Sequence, residues 1–158
     1  MIDQERINTL RAARATGIGR MLLLARRDFL ARVQERLASG GASLPPSWAG
    51  LLPYIDIEGT RSTVLAQRAG ISKQVVAKVV KELEALGLLE RSPDKGDGRA
   101  FLVCFTELGL ERLLSTHEAI TEIEHEYEAL LGARKFGVLR EALFQIAYGA
   151  QPHEMRKR

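Results

Sequence analysis

Between Ser72 and Leu86 the side chains of Lys73, Gln74, Lys78 and Lys81, with the methyl of Ala77 among them, fall at spacings that place them on one face of a helix. They offer hydrogen-bond donors and one small apolar contact. A glutamine amide can meet the N6 and N7 edge of adenine, a lysine can meet guanine or a phosphate, and a methyl suits thymine. Ser72 stands just before them as an N-cap for the orphan N–H groups of the first turn. The chemistry indicated is readout in a major groove, not bond making. No nucleophile elbow, phosphate-cradling glycine loop or paired His–Cys or His–Ser arrangement is visible, so an enzymatic reading has no residues to rest on. His117, His125, His153 and Cys104 share no short ligand spacing, and neither a metal nor a cofactor is expected.

Such a row of donors needs a rigid support. Residues 63–69 place Leu65, Ala66 and Ala69 on one helical face, and the small Ala66 allows a second helix to cross closely. Gly70 ends this supporting helix where a positive φ is cheap, and Ile71 is expected to fold back as a hydrophobic plug. In the second helix Val75, Val76, Val79, Val80, Leu83 and Leu86 form the apolar stripe, opposite the donor face, and Gly87 closes it. Four valines are tolerated in a helix only if packing outweighs propensity. This is the pattern of a helix-turn-helix.

Residues 88–91 and 100–105 read as two short strands joined by Ser92–Arg99, a glycine-containing wing. Phe101, Val103 and Phe105 alternate with Leu102 and Cys104, which predicts that the aromatic side packs on the helices. Arg99, held extended by Asp97, suits a narrow minor groove, and Arg61, Arg91 and Lys95 are further candidate contacts. The net charge of +3 is too modest to argue for a polyanion by itself. Its distribution says more. Residues 60–81 carry Arg61, Arg68, Lys73, Lys78 and Lys81 with no acid, whereas residues 107–128 carry seven glutamates against one arginine.

These residues resemble the multiple antibiotic resistance regulator (MarR) family of bacterial transcription factors. The resemblance runs through Leu65-Ala66, Arg68 to Gln74, Leu83-Glu84, Gly87-Leu88, Glu90-Arg91, Asp97-Gly98-Arg99-Ala100 and Thr106-Glu107-Leu108-Gly109. It implies a homodimer on double-stranded DNA, with a recognition helix in each major groove and a wing in the adjacent minor groove, Arg91 and Arg99 among the wing contacts. It also implies a repressor released by a small aromatic or phenolic effector. Pro53 departs from the pattern, because it removes a backbone donor inside the expected second helix and kinks or ends it early.

The remaining segments fit that frame. Residues 4–38 read as a long amphipathic helix that can break at Gly17 or Gly19, its arginines at 20, 26, 27, 32 and 36 lying on a solvated face or touching phosphate. Residues 107–131 and 133–148 read as two more helices separated by Gly132. Long apolar faces at both ends exceed what a small middle lobe can cover, which predicts pairing across a two-fold axis. The fold expected is mainly α with a small β-wing: a winged helix-turn-helix lobe over residues 44–106, and a helical dimerisation region over 1–38 and 107–158. No membrane span and no secretory signal is seen, so a cytoplasmic setting is expected. Cys104, the only cysteine, is expected to serve strand packing. Trp48, on the short proline-interrupted helix, is a core residue or a pocket wall. An effector is placed near Met21, Trp48, Leu52 and His117 by the resemblance together with that lone indole. The rival reading is a winged-helix module that binds protein and no DNA.

Overall fold

The computed structural model describes residues 3–41, 44–94 and 96–149, with the backbone alone at Arg99. Two compact units divide the chain, Met1–Ala119 and Ile120–Arg158. Among the described residues, no helix is long and apolar enough to cross a membrane.

The first unit opens with α1 (Gln4–Thr16), capped by the Asp3 carboxylate, which accepts the Arg6 N–H at 2.8 Å. Gly17 leaves the helical region and α2 (Ile18–Ser39) starts afresh. The expected long helix therefore breaks at the first of its two glycines. The C-terminal end of α2 is anchored, since Val33 and Leu37 are buried and the Gln34 amide donates to the Leu44 carbonyl at 2.9 Å. Pro46 then opens the short α3 (Pro46–Leu51), where a missing N–H costs nothing. Pro53 ends it: residues 52–54 tighten into one 3-10 turn, as its ring and lost donor dictate.

After a two-residue strand β1 (Thr60–Arg61) come α4 (Ser62–Ala69) and α5 (Lys73–Ala85), then β2 (Leu89–Asp94) and β3 (Asp97–Phe105). Gly70 at φ 65° and Gly87 at φ 70° terminate the two helices in the left-handed region. In each case the next N–H reaches back five residues, Ile71 to Ala66 at 3.1 Å and Leu88 to Leu83 at 2.9 Å. Ile71 closes the turn through its backbone; its side chain stays partly exposed and is no buried plug. The core beneath is Leu65, Ala66, Val76, Val80, Leu83, Leu89, Val103 and Phe105, with Trp48 meeting Phe105 edge to face at 6.0 Å between ring centres. Each fully buried aliphatic side chain contributes roughly 1.5–3 kcal/mol, which is what overrides the poor helix propensity of the valines.

The sheet runs β1-β3-β2, all antiparallel. Two sequence expectations are corrected here. The wing strands extend almost to the tip, Asp94 pairing with Asp97, so most of the expected Ser92–Arg99 loop belongs to strands. The sheet also has a third strand, too short to show a period-two pattern.

Gly109 and Thr106 join this lobe to α6 (Glu107–Leu131). The Thr106 hydroxyl accepts the Gly109 N–H at 3.0 Å and donates to the Gly87 carbonyl, capping α6 against the end of α5. A side chain at Gly109 would bring its Cβ to 2.0 Å from the Leu88 oxygen. The second unit contains the rest of α6 and α7 (Ala133–Tyr148), on which no residue is buried and Phe144 packs on Tyr148 with ring centres 4.9 Å apart.

Candidate nucleic-acid interface

On α5, Lys73, Gln74, Ala77, Lys78 and Lys81 are all exposed, whereas Val76, Val80 and Leu83 point into the core. At 3.6 residues per turn the exposed row covers an arc of about 140°. The first turn of α5 contains no acidic residue. A continuous donor face therefore projects from the lobe, on a helix anchored by a buried seam of three residues. Two members of the expected apolar stripe, Val75 and Leu86, turn out to be exposed, so the buried seam is narrower than the sequence suggested.

Ser72 caps the helix, its Oγ accepting the Val75 N–H at 3.3 Å. That bond orients the first turn and leaves the hydroxyl available for a further hydrogen bond.

The arginines differ from the lysines. Arg91 is half-exposed on β2, and its Nε lies 3.1 Å from Glu84 Oε1 on α5, which ties the wing to the recognition helix. Arg61, a candidate DNA contact from the sequence, is engaged within the lobe. Its Nε donates to Asp94 Oδ2 at 2.7 Å, its Nη2 pairs with the same oxygen, and Asp97 lies 3.7 Å away. A second guanidinium, Arg68, spans from α4 to the Tyr54 carbonyl at 3.1 Å and the Asp56 carboxylate at 2.8 Å. Lys95 lies outside the described residues, and so does the Arg99 side chain; the Arg99 backbone belongs to β3.

Sequence reasoning missed Asp94. Its Oδ1 accepts the Gly96 N–H at 2.8 Å, and this bond, followed by Arg61, holds the carboxyl below its ordinary value of 3.8. The signal was present in the Asp94-Lys95-Gly96 run, since an aspartate two residues before a glycine N–H is a turn former. Phe101 was also misread. It shares a face with Val103 and Phe105, yet the residue is 58% exposed. Together with Arg61, Ser62, Thr63, Arg91, Ala100 and Val103 it lines a groove of about 380 Å³ between the wing and the start of α4.

Of the residues assigned to an effector, Trp48 and Leu52 adjoin through the last turn of α3, the Leu52 N–H bonding to the Trp48 carbonyl. Trp48 is buried against Phe105, as the core reading of that residue expects, and its indole N–H finds no hydrogen-bond partner among the described residues. Met21 and His117 lie on exposed faces of α2 and α6. The Cys104 thiol is pushed above its ordinary value by burial and by Glu90, its cross-strand neighbour. Less thiolate at neutral pH fits the packing role expected of it.

Residues 42–100, which span this lobe, match the family model described as the MarR family. No curated protein is a significant sequence match. Among solved structures, a MarR-family transcriptional regulator from Rhodococcus sp. RHA1 is similar at TM-score 0.70 and 22% identity, over 87% of this chain and 97% of that one. CouR from Rhodococcus jostii RHA1, bound to p-coumaroyl-CoA, is similar at TM-score 0.67 and 22% identity, over 88% and 97%. The repressor CouR bound to a 23-mer DNA duplex is similar at TM-score 0.68 and 23% identity, over 85% and 95%. The chain thus shares its fold with these structures, and its residues 42–100, which hold the glycine-closed helix pair and much of the wing, match the model of the MarR family.

Proposed function

We propose that the protein is a dimeric, sequence-specific DNA-binding transcriptional regulator, a repressor that a small aromatic ligand releases from an inverted-repeat operator. The observation that carries this reading is the exposed donor row of α5, Lys73, Gln74, Ala77, Lys78 and Lys81, on a helix anchored to the core by Val76, Val80 and Leu83. A rigid helix with donors on one face suits a major groove, while the wing, with Arg91 and Arg99, suits the minor groove beside it. The duplex-bound structure of CouR, which shares the fold, supports the same reading.

Dimer formation is supported by apolar residues left in water. Leu23 on α2 is 71% exposed and Leu130 on α6 is 79% exposed, and Val138 and Ile146 on α7 are similarly open. Apolar surface on this scale marks an interaction face, and a second copy fits because a two-fold dimer presents two recognition helices to two half-sites. The effector is assigned to the neighbourhood of Met21, Trp48, Leu52 and His117. The buried, unpartnered indole N–H of Trp48 supports this, as does the p-coumaroyl-CoA bound to CouR.

Selection from a random duplex pool tests the proposal. It should return an inverted repeat with half-sites roughly one helical turn apart. Gln74→Ala should relax preference at one position per half-site by about 1–3 kcal/mol, whereas Lys78→Ala should weaken binding at a guanine or at a phosphate. A pool that returns no enriched sequence would leave the protein-binding module as the better description.

A further inference from the structure

The wing is a projection with little core of its own. Phe101 and Pro93 near its tip are exposed, and β1 supports β3 only through Thr60 with Val103 and Arg61 with Leu102. Beyond that point two strands stand alone, and an isolated two-stranded hairpin is marginally stable in water. The ladder is also irregular between Pro93 and Asp94, where a bend is set. The carboxylate of Asp94 sits at this bend with its side chain only 14% exposed, and its two oxygens do different work. Oδ1 shapes the tip by accepting the Gly96 N–H, and Oδ2 receives Nε and Nη2 of Arg61 from the strand next to α4.

We infer that Arg61 and Asp94 form a brace that aims the wing, so that Arg61 acts through the wing's position and Asp94 is a positioning residue for DNA binding. This inference rests on the DNA-binding reading and sharpens it. Coulomb's law alone makes the opposite prediction for Asp94, because removing an acid from a lobe that meets a polyanion should tighten the complex. A brace makes the acid favourable, since a wing free to swing pays ordering entropy when it docks. Arg61 has Nε and Nη2 committed to Asp94, so in the same geometry a phosphate meets only its remaining N–H groups.

The test compares wild type, Asp94→Asn, Arg61→Gln and the double variant. Duplex affinity is measured over a range of salt, and amide exchange of the wing is measured without DNA. Each single variant should weaken binding about tenfold with an unchanged salt slope, and the double variant should be no weaker than either single one, as for two ends of one link. Amide exchange at Gly96 should speed up in all three. Asp94→Asn binding DNA more tightly than wild type would overturn the brace. So would Arg61→Gln lowering the slope by about two phosphates per dimer while Asp94→Asn changes nothing. Wild type that fails to bind any duplex would sink the DNA reading, and the exchange rates would still decide whether the brace exists.

Discussion

At the scale of single residues, the most informative are those whose identity is dictated by backbone geometry. Gly109 is one. A Cβ there would lie 2.0 Å from the Leu88 carbonyl oxygen, and that oxygen also accepts the Thr106 N–H at 3.2 Å. The junction between the recognition helix, the wing and α6 is thus built around a missing side chain, and Gly109→Ala forces main chain apart. Overpacking of this kind costs about 1–3 kcal/mol, occasionally more. A thermal melt of Gly109→Ala should show a Tm several degrees below wild type, and an unchanged Tm would mean that the junction yields without cost. The sequence displayed Thr106 and Gly109 as a motif, and the contact supplies its reason. Asp94 and Arg61 were harder to read, because their partnership crosses 33 positions and depends on the register of a strand two residues long. The sequence offered Arg61 as a candidate DNA contact without showing its acidic partner for the same reason: local pattern carries no information on distant pairing.

At the scale of elements, the helices announced themselves and the sheet did so only in part. Gly70, Ser72 and Gly87 mark helix ends by conformational cost and capping, which are local effects, and the structure places each at its expected boundary. The break of the N-terminal helix at Gly17 and the end of α3 before Pro53 were legible in the same way. The wing strands were read too short, since Pro93, Asp94 and Gly98 are poor strand formers that ladder pairing nevertheless accommodates at a sheet edge. Phe101 was misplaced because alternation fixes which face a residue takes and says nothing of how closely that face is covered. The wing also has a defined pH response. With the Asp94 carboxyl held below its ordinary 3.8, its share of wing order is fully present above that value and is lost as pH falls through the lower folded one. The Gly96 amide shift, followed by NMR, should therefore titrate with a midpoint below 3.8. Titration at higher pH would show that Asp94 is not engaged as described.

At the scale of the whole molecule, charge and apolar surface are segregated. The lobe presents cations and few acids on its α5 face, while α1, α2 and α7 present apolar side chains to water. Both the helical spacing and the excess of apolar residues were legible before any coordinates. Burial is what tells the two uses of leucine apart, since Leu83 is wholly enclosed and Leu23 is not. If the exposed leucines serve a two-fold interface, Leu23→Glu or Ile146→Glu should shift the protein toward monomer in sedimentation and weaken operator binding by 10²-fold or more, on the order expected when two linked half-sites become independent. Variants that remain dimeric would place the interface elsewhere.

A donor face on α5 and a basic wing that engage the phosphates and base edges of duplex DNA must displace counterions, so the proposed mode of binding is read from its salt dependence. Binding of the dimer to its selected operator should fall with salt along a log-log slope near −7, the value for about eight neutralised phosphates. Lys78→Ala or Lys81→Ala should make that slope shallower, by about two units per dimer where the lysine lies on phosphate in both half-sites. An affinity for duplex that is absent, or a slope near zero across the same range of salt, would contradict the account.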